Sequence, residues 1–194
     1  MSTASVTSRP GAVLADLLPA SRARDIALVV GGAALTGIAA QISVPVPGSP
    51  VPVSGQTFAA LLVGTALGAR RGFFSLALYA VVGMAGMPWF AEGASGYAMP
   101  SFGYILGMLL AATVVGGLAR RGADRSVLRT AGTMAVGSVI IYAVGVPYLA
   151  LATGMSLSQA VAAGLTPFLI GDALKAALAM GALPTAWKLI GRRG

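Results

Sequence analysis

Long apolar runs with the charges pushed into the gaps between them constrain this chain more than any other feature. Six such runs can be drawn, roughly 26–44, 56–69, 73–87, 102–119, 131–152 and 167–190. About 20 apolar residues in a helix cross a hydrocarbon core about 30 Å thick. Lipid leaves backbone groups no outside partners, so spanning segments are helices or closed barrels. The sequence therefore predicts an all-α polytopic membrane protein with six transmembrane helices. A charged fraction of 9% and a mean hydropathy of +0.86 agree with that class. The second and third runs are short for full spans and are expected to tilt or to become irregular inside the bundle.

The placement of the basic residues predicts an orientation. Arg9, Arg22 and Arg24 precede the first run, and Arg70 and Arg71 follow the second. Arg120, Arg121, Arg125 and Arg129 separate the fourth from the fifth, while Lys188, Arg192 and Arg193 close the chain. Six crossings put both termini and all these segments on one side. The opposite loops, 45–55, 88–101 and 153–166, hold no Lys or Arg and a single acid, Glu92. Basic residues gather on the cytoplasmic side, so the expectation is N-in, C-in. This also accounts for the net charge of +8 without nucleic acid, since no basic cluster is interleaved with aromatics for base stacking. Residues 1–20 lack a continuous apolar core and are expected to form a flexible cytoplasmic tail before a single domain, 21–194.

The loops differ in character. Four prolines (Pro45, Pro47, Pro50 and Pro52) make the first outer loop an ordered cap rather than a helix. The second mixes glycines with Trp89, Phe90, Tyr97, Phe102 and Tyr104, which suits an interfacial aromatic belt, a lid over an amphipathic small molecule, or both. Small residues recur four apart: Ala33 and Gly37, Gly64 and Gly68, and Gly103, Gly107 and Ala111. Such spacing serves close helix packing within the bundle or against another membrane subunit. No internal repeat is visible, which argues against an inverted-repeat transporter.

Asp172 and Lys175 are the ionisable groups inside the last run before its basic end, and on a helix they share one face. Either charge costs roughly 2.5–3.5 kcal/mol near the bilayer centre, so neither is expected to face lipid. With Thr166 as N-cap and Pro167 at the first position, the pair falls in the outer part of the bundle. An ion pair locking the helix, a ligand site and a proton relay through Asp172 are the three readings. For a ligand, Lys175 suits a carboxylate, and Asp172 suits N–H donors or holds the lysine charged. Catalysis fits poorly. The chain has no cysteine or histidine, no acid cluster for metal and no phosphate-binding loop. Any step driven by ATP falls to a partner.

Several stretches together resemble the BioY family: PVPVSGQTFAALLVGTALGARRG (50–72), YAVVGMAGMPWFAEG (79–93), SFGYILGM (101–108), YAVGVPYLA (142–150) and PFLIGDALKAAL (167–178). BioY proteins are the biotin-binding S components of energy-coupling factor (ECF) transporters. The resemblance implies a six-helix S-component bundle in the plasma membrane of a bacterial-type cell. It implies capture of biotin from outside and delivery inward with a membrane-embedded T component and two cytosolic ATPases. The family's site residues fall on Asp172, Lys175, Gln56, Phe90 and Tyr104, and chemistry adds Trp89. The small-residue motif by which S components meet the T component falls on Ala33 and Gly37. Gly55 stands where Leu is usual and Ile170 where Pro is common, and neither change removes a polar group. No cofactor is implied, since biotin is cargo and ATP is used by the partners alone. An S component for another small carboxylate-bearing vitamin and a stand-alone permease are the competing readings.

Overall fold

The computed structural model describes residues 11–191, and its regular structure is almost wholly helical. Seven helices follow one another: α1 (Arg22–Gln41), α2 (Gln56–Leu67), α3 (Ala69–Met84), α4 (Phe102–Arg120), α5 (Val127–Thr153), α6 (Leu157–Gly164) and α7 (Leu169–Gly191). Four segments are long and apolar enough to cross a membrane: Arg22–Gln41, Phe102–Arg120, Val127–Thr153 and Leu157–Ile190. The last of these takes in both α6 and α7. The short runs foreseen at 56–69 and 73–87 are α2 and α3, of 12 and 16 residues. Arg9, Arg192 and Arg193 of the charge partition lie outside the described residues.

Local chemistry explains most boundaries. Ser21 caps α1 by accepting the amide of Arg24, and Ser126 caps α5 by accepting that of Arg129. Both caps extend their helices by a turn beyond the apolar runs. Gly68 separates α2 from α3 at φ 82°, a left-handed value that lets one residue reverse the chain. Within the loop expected at 153–166, Ser156 and Gln159 form a capping box that starts α6. Thr166 does not cap the last helix. Its hydroxyl donates to the carbonyl of Val161 at 3.3 Å, and a 3-10 turn, Thr166–Phe168, precedes α7. Asp172 therefore sits in the first turn of α7, where the helix dipole favours a negative charge.

Helix α4 is the packing centre, in contact with α2, α3 and α5. Its small residues make close approach possible: a Cβ on Gly107 would meet the backbone of Ile141 in α5 at 2.8 Å. Gly64 of α2 likewise lies against the backbone of Ala112. These four-residue spacings serve internal packing.

The tail expected over 1–20 needs correction in its described part. Residues Leu14–Leu17 form a 3-10 turn, with Val13 and Ala15 buried. Asp16 binds Arg71 of α3 at 2.7 Å and lies 3.8 Å from Arg120. Burial works against this carboxylate, but the hydrogen bond and charge of Arg71, with the amide of Val13, hold its pKa below the ordinary value. Apolar anchoring and an ion pair thus hold this strap to the basic end of the bundle.

Candidate functional site

The proline-rich stretch is an ordered cap, as expected. Ser43–Val44 pairs antiparallel with Val53–Ser54, with Ser43 opposite Ser54 and Val44 opposite Val53. This short hairpin brings Val51, Pro52 and Ser54 to the end of the bundle opposite the arginine clusters. There a cavity of about 40 Å³ opens between α2, α4, α5 and α7. Its polar side chains include Gln56, Thr57, Tyr142 and Lys175, and Phe90, Tyr104 and Phe168 supply aromatic walls.

Gln56 is the first residue of α2 and is 5% exposed, yet its Nε2 has no hydrogen-bond partner among the described residues. A buried donor left unpaired costs about 1–3 kcal/mol, which a ligand acceptor would recover. Lys175 donates from Nζ to Thr57 Oγ1 at 2.8 Å and to Asp172 Oδ1 at 3.3 Å. Tyr142 donates its hydroxyl to Asp172 Oδ2. The two side chains are only 18% and 16% exposed, so their attraction is less screened than that of a surface pair. Both oxygens of Asp172 are thus engaged, and Lys175 is the member of the pair that lines the cavity.

Phe90 and Tyr104, which the resemblance implies for the site, both line this cavity. Phe90 is 1% exposed and packs edge-on against Tyr79 of α3. Tyr104 stacks with Phe168 and donates its hydroxyl to the carbonyl of Gly164 at 2.8 Å, tying α4 to the end of α6 and to the turn before α7. Trp89 is a correction. Its ring lies over Gly37, its Nε1 donates to the carbonyl of Tyr79 at 3.1 Å, and it does not line the cavity. It braces from behind the segment that brings Phe90 to the cavity wall.

The docking pair needs the same treatment. Ala33 is 1% exposed and Gly37 is buried under Trp89, so neither presents a free face. The exposed side of α1 carries a different small-residue set, Ala23, Ala27 and Gly31, with open space where a Cβ on Gly31 would sit. Sequence spacing alone cannot separate two such stripes on one helix.

Sequence reasoning missed Thr57, Tyr142 and Phe168. All three lie inside the stretches that carry the resemblance, Thr57 and Phe168 next to Gln56 and Pro167, but their neutral side chains carry no signal of their own. Tyr142 lies 30 residues from its partner Asp172. A larger concavity of about 700 Å³ lies on the outer side of α5, α6 and α7, and Tyr142 and Asp172 touch it from behind. Its other walls are almost wholly apolar (Val139, Val146, Leu165 and Leu169 among them), which suits lipid chains and not a polar ligand.

Comparisons with known proteins agree with this architecture. A family model described as the BioY family matches residues 9–192. A Pyrococcus horikoshii protein named "Probable biotin transporter BioY" is 36% identical over 162 residues, covering 82% of this chain and 93% of its own. "Biotin transporter BioY2" of Lactococcus lactis subsp. cremoris is 35% identical over 156 residues, 79% of this chain and 84% of that protein. Among solved structures, the S-component for biotin from an ECF-type ABC transporter superposes with a TM-score of 0.76. That match covers 88% of this chain and 95% of the other at 21% identity, a likeness of fold.

Proposed function

Because the chain belongs to the BioY family, we propose that it captures biotin in the cavity beneath the hairpin and acts as the substrate-binding S component of an ECF-type transporter. BioY proteins are transporters rather than enzymes, and helices of this length and apolarity make the chain a membrane protein. The observation that carries the site is the unpaired, buried Nε2 of Gln56 beside the Lys175 ammonium, in a cavity otherwise walled by aromatic and apolar groups. Biotin offers matching chemistry: a ureido carbonyl and two N–H groups at one end, a carboxylate at the other, and an apolar body between. In this reading Gln56, Lys175, Phe90 and Tyr104 meet the ligand. Asp172, itself held by Tyr142, keeps the lysine ammonium in place, and Trp89 supports the segment that carries Phe90. The cavity is small for a vitamin, so binding displaces part of its wall.

The same reading gives six crossings with both termini inside a bacterial-type plasma membrane. Residues 21–194 form the binding domain with the strap at 13–17 packed beneath it. A T component and two cytosolic ATPases drive release. The exposed Ala23, Ala27 and Gly31 side of α1 is the docking face, in place of the buried Ala33 and Gly37.

Equilibrium binding of labelled biotin to the purified chain tests the site. Lys175→Ala removes one member of a partly desolvated charged pair, and a loss of about a hundredfold or more is expected. Affinity within threefold of the wild type would refute the assignment. Gly31→Leu tests the face: biotin binding should persist while co-purification of ATPase subunits fails. Gly37→Leu instead drives a side chain into the Trp89 ring and should damage binding itself.

A further inference from the structure

The basic end of the bundle holds a further concavity, about 330 Å³, between α1, α3 and the end of α4. Its lining joins three guanidinium groups, from Arg70, Arg71 and Arg120, to the apolar side chains of Ile26, Val29 and Phe74. One carboxylate, Asp25, completes it. The order along the helices is regular. In α3 the arginines at 70 and 71 come first and Phe74 a turn later. In α1 Asp25 comes first, with Ile26 and Val29 further in.

The charges do not cancel. Asp25 Oδ1 already accepts from Arg24 at 2.7 Å and from Arg71 Nε at 3.1 Å. Arg71 Nη1 is held by Asp16, and Arg120 donates to the carbonyl of Gly11 at 3.3 Å. Arg70 is exposed and makes no hydrogen bond to any described residue. Counting Arg24, four arginines face Asp16 and Asp25, and Arg70 is the one with no hydrogen bond to a described residue. The apolar part of the lining is open as well, with Ile26 at 65% and Phe74 at 49% exposure.

We propose that this concavity binds the headgroup phosphate of an anionic phospholipid, with an acyl chain along Ile26, Val29 and Phe74. Guanidinium groups bind phosphate through paired, charge-assisted hydrogen bonds. Basic clusters where helices leave the membrane attract anionic lipids. A soluble phosphate would leave the apolar half of the site uncovered, and a zwitterionic headgroup would leave the surplus charge unmatched. The inference rests on these helix ends meeting a membrane surface and is independent of the ligand bound at the other end.

Native mass spectrometry of the purified full chain, titrated with phosphatidylglycerol, phosphatidylcholine or inorganic phosphate, tests it. Phosphatidylglycerol should be retained in preference to phosphatidylcholine. Arg70→Gln should lower that retention about fivefold, the size of about 1 kcal/mol per basic side chain near an anionic surface. Arg70→Lys should keep most of it. Lys188→Gln, which removes a basic group outside the concavity, should leave it unchanged. Biotin binding by each variant reports that the chain is folded. Equal retention of the two lipids, an equal loss in Lys188→Gln, or displacement of the lipid by millimolar phosphate would overturn the proposal. So would unchanged lipid retention in Arg70→Gln accompanied by loss of co-purifying subunits, which would make the surface a protein interface.

Discussion

Each end of the bundle sets a carboxylate against α7, and the two are built differently. At the cavity end, Asp172 lies on α7 itself and has both oxygens engaged, one by Tyr142 and one by Lys175. At the basic end, Asp124 lies in the connection between α4 and α5 and is completely buried. Its Oδ2 accepts from Trp187 Nε1 of α7 at 2.7 Å, while Oδ1 has no partner of normal geometry among the described residues. Arg125 stacks on the same indole, 4.5 Å from its centroid. Burial pushes the Asp124 pKa up against the opposing pull of Trp187, its own amide and Arg125. The first carboxylate belongs to a hydrogen-bonded group, with Tyr142, Lys175 and Thr57, that reaches the cavity wall. The second is a latch between a loop and a helix, with no room for exchange.

Substitutions that remove each charge in turn sharpen that contrast. Among the carboxylates and their partners the largest effect is expected from Asp172→Asn, which should weaken biotin binding by tenfold or more, short of the loss expected for Lys175→Ala. Tyr142→Phe, taking one of its two donors, should cost about fivefold. Asp124→Asn should leave affinity within twofold, and a binding loss equal to that of Asp172→Asn would erase the distinction between the two ends. Next in size is Trp187→Phe, which strands a buried acceptor and should lower stability by about 1–3 kcal/mol in a thermal melt while sparing biotin affinity. The smallest effect is a pH dependence. A folded-state pKa above the unfolded value makes stability fall as pH rises through the folded pKa. Asp124→Asn should therefore raise the melting midpoint at pH 8 and lose that advantage as pH falls below the unfolded carboxyl pKa. Asp16 has the opposite sign: its stabilisation is present above the unfolded pKa and is lost as pH falls through the depressed folded value. A melt of Asp16→Asn should thus converge with the wild type only in acid.

How much of this was legible beforehand follows the range of each signal. Apolar runs gave the main helices because length and hydropathy act locally. They missed α6, whose 8 residues are set by a capping box, and they misplaced the start of α7, where a 3-10 turn intervenes. Lys175 and Asp172 stood out because charge in an apolar run is costly. Gln56, Phe90 and Tyr104 were reached through the family resemblance and line the cavity. Tyr142 and Thr57 did not stand out, since a neutral hydroxyl gains meaning only from what folding puts next to it. Trp89 and Gly37 were assigned to separate roles although the indole lies on the glycine. That pairing joins residues more than fifty positions apart and has no local signature.

The contact between Trp89 and Gly37 has a mechanical consequence. Gln41, at the end of α1, donates from Nε2 to the carbonyls of Trp89 at 3.0 Å and Phe90 at 3.2 Å. One wall of the cavity is thus geared to α1, while Lys175 travels with α7, and α1 and α7 share no substantial interface. Leverage applied to α1 from outside the chain would reach the Phe90 wall before it reached the lysine.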